Sequence, residues 1–529
     1  MGALIDITID LSGEKWGANS RSVHQENDIL EASDSHPIVA VPSSFIHTLH
    51  NLSNVKLCTL EQVEVIFDIH VPSVGIVTPQ PLLLPRLSDI KMSDMNCMTH
   101  LWRCNWRKFL MLHNPQQKSS FQNLTTIYME KCKTIEYLFS PLMATLLSNL
   151  KKIHIENCNR FQEVVSNRDD EDDILKGTTN VRFPSLRSII LGKLPNLRGF
   201  FFGFSGKNEL QLPLLDELVI ERCPQMMAFT SLPLRAPKLE YIHINAGKYN
   251  SSFFMTTTTL PQAPSQSLNN TNSLTTISEE FLSYSRSLIE MNARGGWESR
   301  VFFLYDELPQ LQNLEKLYAR DCVSVLEVFD IGTEVRCSSS SQISVVELPK
   351  LSDVCLQYLE SLKYIWMSNG RRTILEFPNL AKLSISSCNQ LEHVFTCSMV
   401  GSLLQLKELS IRWCQNMEVI VKEDQEEEEE EGGDIGKVNE PIRLPCLKSL
   451  ELGNLDSLKG FCLGNADYSF PSLESMSIKR CKSITTFTKG DLVVPELKVM
   501  ETRSGTINLA EEQDINSFII TKTQEGFDL

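Results

Sequence analysis

By residue type, the chemistry available to this 529-residue chain lies in fifteen cysteines, ten histidines and two runs of carboxylates. Seven cysteines (Cys132, Cys158, Cys223, Cys322, Cys388, Cys414 and Cys481) recur singly, and no Cys-x-x-Cys pair occurs. Thiolate metal sites need several ligands around one ion, so this spacing reads as a ladder rather than a metal centre. In a ladder, each small side chain fits a tight turn and its thiol donates weakly to a nearby carbonyl. His154 and His243 stand alone. No His-Glu-x-x-His pair, Gly-x-Ser-x-Gly elbow or Gly-x4-Gly-Lys-Ser/Thr phosphate loop is present. The acidic residues Asp169 to Asp173, and Glu423, Asp424 and Glu426 to Glu431, lack calcium-loop spacing, and like charges in series repel and extend. The residues therefore point away from catalysis, and no cofactor or metal is expected.

The formal net charge of -16 is carried largely by those two runs, which leaves the rest of the chain near neutral. Nothing resembles the basic stripe that neutralises phosphates, so nucleic acid is not the expected partner. The start MGALIDITIDLSGEKW has no basic region before its apolar residues, and Asp6 stands where a myristoylation signal wants Ser or Thr. No apolar run is long enough to span a bilayer. Unpaired, odd-numbered cysteines then suggest reduced thiols in the cytosol or nucleus, and idle sequons at Asn51, Asn123, Asn250 and Asn269.

What positions these residues is a repeat. An apolar residue is followed by others three, five, eight, eleven and fourteen places on, beginning at Leu52, Leu87, Leu124, Leu150, Leu186, Leu215, Leu314, Leu351, Leu380, Leu406, Leu447 and Leu473. Leu239 and Leu497 keep only the first part of the frame. Residues three and five places on share one face of a strand, so Ile189 and Leu191 should point inward and Ile190 outward. Prolines in FPSL, FPNL and LPCL end whatever precedes each strand. Six buried side chains stabilise one repeat by on the order of 9–18 kcal/mol. Ordering its backbone costs about 25 kcal/mol or more. A single repeat cannot stand alone and must stack on its neighbours. The expected fold class is α/β: a solenoid with a parallel sheet on its concave face and loops and short helical turns outside.

A longer period is superimposed. Frame starts in the second half follow those of the first by 262, 264, 256, 256, 261 and 258 residues, and FPSLRSIILGKLPNLRGFFFG answers LPCLKSLELGNLDSLKGFCLG. The frame thus predicts a tandem duplication of about 260 residues. Its expected parts are a cap or poorly defined segment over 1–51, repeats over 52–245, a flexible low-complexity excursion over 246–308, repeats over 309–502 and a tail over 503–529.

Outward positions one, two, four, six and seven after each start should line up across the strands. They supply the candidate binding residues Tyr128, His154, Arg222, Tyr318, Arg320, Tyr358, Arg412, Trp413, Lys479 and Arg480, together with Glu130, Lys131, Glu156 and Glu221. Aromatic and arginine side chains outside a rigid scaffold are the usual anchors of protein interfaces. The sharpest candidate is Arg412 with Trp413, flanked by Ser386, Ser387 and Asn454.

Copies such as FPNLAKLSISSCNQLEHVFTCSMVGSLLQLKELSIRWCQNMEVIV resemble the C-terminal leucine-rich repeats of plant disease-resistance proteins of the coiled-coil, nucleotide-binding, leucine-rich-repeat class. The resemblance covers roughly residues 50–502. It rests on the Pro-x-Leu-x-x-Leu-x-Ile-x-x-Cys frame, the EVIV-type ending before an acidic run, and the alternation of Cys-type with LPNL-type repeats. It implies a protein partner: a pathogen effector, a host protein that effectors modify, or a nucleotide-binding receptor module. No phosphate loop or coiled-coil heptad precedes Leu52, so nucleotide binding does not carry over. An alternative is a substrate-recruiting subunit of a ubiquitin ligase, with residues 1–51 as a helical box. Pro37 and Pro42 count against it.

Overall fold

The computed structural model describes residues 5–10, 37–46, 48–60, 62–71, 83–112, 120–166, 181–202, 209–226, 228–251, 285–295, 297, 299–330, 344–366, 373–423, 441–509 and 515–524. It divides into two compact units, the first of residues 1–245 with 250–262 and the second of 246–249 with 263–529.

In each unit the chain coils so that every full frame start feeds one strand of a parallel inner sheet. The strands of the first unit are Ile5–Asp10, Leu52–Cys58, Asp89–Ser93, Thr126–Glu130, Lys152–Glu156, Ser188–Gly192, Glu217–Glu221 and Tyr241–Ile244, each paired in parallel with the next. Those of the second are Leu288–Arg294, Lys316–Arg320, Asp353–Gln357, Lys382–Ser386, Glu408–Arg412, Ser449–Gly453, Ser475–Lys479 and Val499–Thr502, likewise parallel. An antiparallel strand covers each end of this second sheet, Gly247–Asn250 against Leu288–Arg294 and Gly505–Asn508 against Val499–Thr502. Such strands satisfy the unpaired backbone groups that an open edge would present.

The frame positions form the core. Ile189 and Leu191 are fully buried, and Ile190 between them is not. In all twelve full copies every frame residue is buried except Val63 and Cys223, which are partly so. At the proline lead-ins the start residue closes a turn, as where Leu186 N–H donates to Phe183 O at 3.4 Å and Leu473 N–H to Phe470 O at 3.2 Å. Proline sits second in that turn, the position its fixed φ suits. On the outer side short parallel strands stack coil on coil, and aromatic rings fill the space beneath them. Phe183 and Phe200 lie 5.9 Å apart in the first unit, and Phe461 and Phe487 lie 5.0 Å apart in the second.

One expected segment needs correction, and two others carry elements of their own. Residues 246–308 are not a flexible excursion throughout, because Leu288–Arg294 and Val301–Phe303 are strands and Tyr305–Gln310 is a 3-10 helix. In that coil Leu288, Met291 and Ala293 occupy the first, third and fifth frame slots and are buried. The eighth and eleventh slots fall on Gly296 and Ser299, so the apolar frame breaks. Within 1–51, Ile7 and Ile9 pair with the inward Val55 and Leu57, after which the frame is lost, and Val39–Val41 joins an outer sheet. The tail carries the helix Ile515–Gln524, whose Ile515, Phe518 and Ile519 are buried. Asn516 Oδ1 accepts the N–H groups of Phe487 at 2.8 Å and Thr488 at 3.0 Å, which ties that helix to the last full coil. The acidic runs lie outside the described residues except for Glu423.

Candidate inner-face and rim surface

The cysteine ladder is structural. In all seven slots the thiol donates to the carbonyl two residues earlier, from 3.3 Å for Cys158 to Glu156 O to 3.7 Å for Cys481 to Lys479 O. Among the described residues, no cluster of His, Cys, Asp and Glu is arranged to hold a metal ion.

The inner face is lined by the fourth and sixth residues after each start, and their polar groups are matched within a strand and across neighbouring ones. Tyr128 donates to Glu130 at 2.8 Å and lies edge-on to His154 at 4.8 Å. Burial and that hydrogen bond push the Tyr128 hydroxyl up to about 12. Lys193 donates to Glu156 at 2.7 Å, and this bond holds the Glu156 carboxyl below its ordinary range. In the second unit Tyr318 donates to Asp353 at 2.8 Å and Lys479 to Glu501 at 2.7 Å. Arg412 bonds Glu451 of the next strand, which also accepts from Ser410 at 3.0 Å. Cross-strand pairs of this kind are the ordinary currency of sheet surfaces.

The seventh residue after each start does something different from the sequence expectation. It lies just past the strand end, on the rim of the face, in the left-handed backbone region. Asp94, Lys131, Asn157, Lys193, Arg222, Asp321, Tyr358, Ser387, Trp413, Asn454 and Arg480 all have φ between 52° and 59°. The backbone requires this conformation because the N–H of that residue extends the ladder by one rung. Trp413 N–H donates to Gly453 O at 2.9 Å, Ser387 N–H to Arg412 O at 3.0 Å and Tyr358 N–H to Ser386 O at 3.0 Å. Left-handed backbone costs a non-glycine residue roughly 1–2 kcal/mol, and for a bulky side chain it is a genuine outlier.

Two such residues are large and open to solvent, Tyr358 at 46% and Trp413 at 47% exposure. Arg320 lies over the Tyr358 ring at 5.4 Å, so two of the candidate residues form one cation–π unit. Ser386 and Gly453 flank Arg412 in register, while Ser387 and Asn454 carry the rim positions on either side of Trp413. Arg480 reaches Asn454 Oδ1 at 3.3 Å, and Arg222 donates its backbone N–H to Asn245 Oδ1 at 2.8 Å. The candidate residues thus fall into two sets. Tyr128, His154, Tyr318, Arg320, Arg412 and Lys479 line the inner face, and Arg222, Tyr358, Trp413 and Arg480 stand on the rim. Sequence reasoning missed the carboxylates Glu451 and Asp353, which engage Arg412 and Tyr318. The diagonal register of a fourth-place acid beside a sixth-place base was the available signal for the first.

Among the described residues, no helix is long and apolar enough to cross a membrane. No curated protein matches the chain in sequence. Among solved structures, the TLR13–ssRNA13 complex shares 13% identity over 88% of this chain, with a TM-score of 0.23. The chain spans 59% of that protein's length. The pneumococcal vaccine antigen PcpA shares 10% identity over 83% of this chain and 85% of its own, with a TM-score of 0.19. A sequence profile described as plant disease resistance protein RPS2-like leucine-rich repeats matches residues 22–159, 111–246, 265–415 and 399–489. With most of its length so matched, the chain belongs to the RPS2-like leucine-rich-repeat family of plant disease resistance proteins.

Proposed function

We propose that the chain is a protein-recognition region of a plant intracellular immune receptor, which binds a pathogen effector, a host protein that effectors modify, or the receptor's own nucleotide-binding module. The observation that carries this reading is Trp413, a large aromatic half open to solvent in a backbone conformation that disfavours it. A site that keeps such a residue against its intrinsic cost is best explained by what the side chain contacts outside. Tyr358 under Arg320 adds a second aromatic two coils away, and the small residues Ser387 and Asn454 leave room beside Trp413.

A protein partner fits better than a nucleic acid, because several basic groups of the inner face and its rim are already committed. Arg412, Lys193, Lys382 and Lys479 each pair with a carboxylate on a neighbouring strand or turn. The chemistry is binding rather than catalysis, and it takes place in the cytosol or nucleus. The acidic residues Glu426 to Glu431 steer a basic partner, raising its on-rate more than its affinity. The test is the affinity of the whole chain for its partner. Trp413→Ala should weaken it by roughly 30-fold or more, as hot-spot truncations do. Unchanged affinity, with an unchanged unfolding transition, would remove the rim from the account.

A further inference from the structure

On the outer side of the second unit, three reactive side chains from three segments meet. Cys397 opens the short helix Cys397–Val400, Cys462 ends the strand Gly460–Cys462, and Tyr468 begins the strand Tyr468–Ser469. The Tyr468 hydroxyl and Cys397 Sγ are 4.0 Å apart, and the Cys462 thiol hydrogen-bonds with both Cys397 and Tyr468. Gly464 N–H donates to Cys462 Sγ at 3.4 Å. Cys462 and Tyr468 are fully buried, whereas Cys397 is partly exposed.

As in the ladder pair Cys388 and Cys414, one thiol here donates to the other, but Cys397, unlike either ladder thiol, is partly open to solvent. The Cys462 sulfur collects donors from Cys397, Tyr468 and Gly464. That environment favours a thiolate, and the hydrogen bond from Cys397, with help from Tyr468 and Gly464, holds Cys462 down to about 6 against burial and the Glu423 charge. Packing does not call for it either. With the half-to-half offsets above, the first unit has Phe201, Pro141 and Leu210 at the equivalent places, and all three are buried.

We propose that Cys397 and Cys462 form a reversible disulfide when the chain meets a peroxide. The accessible Cys397 thiol takes one oxygen atom from the peroxide to become a sulfenic acid, and the remainder leaves as water. The Cys462 thiolate then attacks the Cys397 sulfur; the S–S bond forms, the S–O bond breaks, and hydroxide leaves to recover the proton that Cys462 gave up. Two thiols are oxidised and one peroxide becomes two waters. The two sulfurs belong to coils that are not adjacent, those starting at Leu380 and Leu447. The strand between them, Val419–Lys422, pairs with Phe395–Thr396 on one side and Gly460–Cys462 on the other. The bridge therefore clamps three coils beside Glu423, whose Oε1 accepts Asn465 N–H at 3.2 Å at the root of the second acidic run.

The test treats the reduced whole chain with hydrogen peroxide at pH 7, blocks remaining thiols, and maps peptides without reduction. The expected result is a peptide pair joined through Cys397 and Cys462, lost on adding dithiothreitol and absent from Cys397→Ser. In Cys462→Ser, a sulfenic-acid trap should label Cys397. Recovery of both cysteines as blocked thiols, while the exposed Cys97 is oxidised, would overturn the proposal. So would a bridge that leaves Cys397 out. Cys397→Ser changes a partly exposed side chain, so a folded control is available, and Tyr468→Phe should slow bridge formation several-fold without preventing it.

Discussion

The two units carry the same backbone device and clothe it differently. The rim residue in the coil starting at Leu150 is Asn157 and its counterpart in the coil starting at Leu406 is Trp413, with φ of 57° and 59°. Asp94 is answered by Tyr358, Lys131 by Ser387, Lys193 by Asn454 and Arg222 by Arg480, and all are left-handed. The ladder hydrogen bond dictates the conformation in both units and leaves the side chain free to differ. Asparagine suits this backbone and tryptophan does not. Divergence toward the disfavoured residue, on the exposed side of a shared geometry, is the difference on which the proposed recognition surface of the second unit rests.

The shared part of the comparison should break most visibly in the core. Ile155 and Ile411 are equivalent and fully buried, so Ile155→Asp and Ile411→Asp should each destabilise their unit by about 3–5 kcal/mol, read by denaturant unfolding. A mild effect at either position would mean that the two frames are not equivalent.

A second difference is electrostatic. Glu307 is 5% exposed in the second unit, where the first has Phe45, and burial raises its carboxyl to about 7 although Leu304 N–H and Ser285 both donate to it. A raised carboxyl pKa means that the folded chain holds the proton more tightly than the unfolded one. The associated stability is present below the ordinary value of 4.5 and is lost as pH rises through about 7, a change on the order of 3 kcal/mol. Glu307→Gln should flatten that dependence and leave the chain more stable at pH 8. An unaltered profile would place the titration elsewhere.

Smaller effects sharpen the rim itself. Lys131→Asn should raise stability by roughly 0.5–1 kcal/mol by relieving the left-handed backbone, with no effect on binding. Arg412→Ala removes an exposed pair with Glu451 and should cost less than about 1 kcal/mol.

Periodicity carried most of this architecture, because burial repeats wherever the frame repeats. It failed where the frame was cut short, at Ile5–Asp10 and Leu288–Arg294, since two inward residues are too few to stand out from background. The rim conformation of Trp413 was not readable. Tryptophan disfavours a positive φ, and only the hydrogen bond to the next coil, a tertiary contact, imposes it. Side-chain partners such as Glu451 and Asp353 depend on strand register, which becomes specific only once the coils stack. The Cys397–Cys462–Tyr468 cluster joins residues up to 71 apart through two outer strands and one helical turn, and no local pattern marks it.

The most direct test of the central claim is to exchange the rim residues and measure affinity. The probe is a protein first cross-linked to the whole chain through a photoreactive group at position 358 and then produced on its own. Trp413→Asn should reduce its affinity by at least roughly 30-fold while leaving thermal unfolding in place, and Asn157→Trp should leave affinity unchanged. Equal affinity for the wild-type and Trp413→Asn chains, or an equal loss from Asn157→Trp, would contradict a recognition surface on the rim of the second unit.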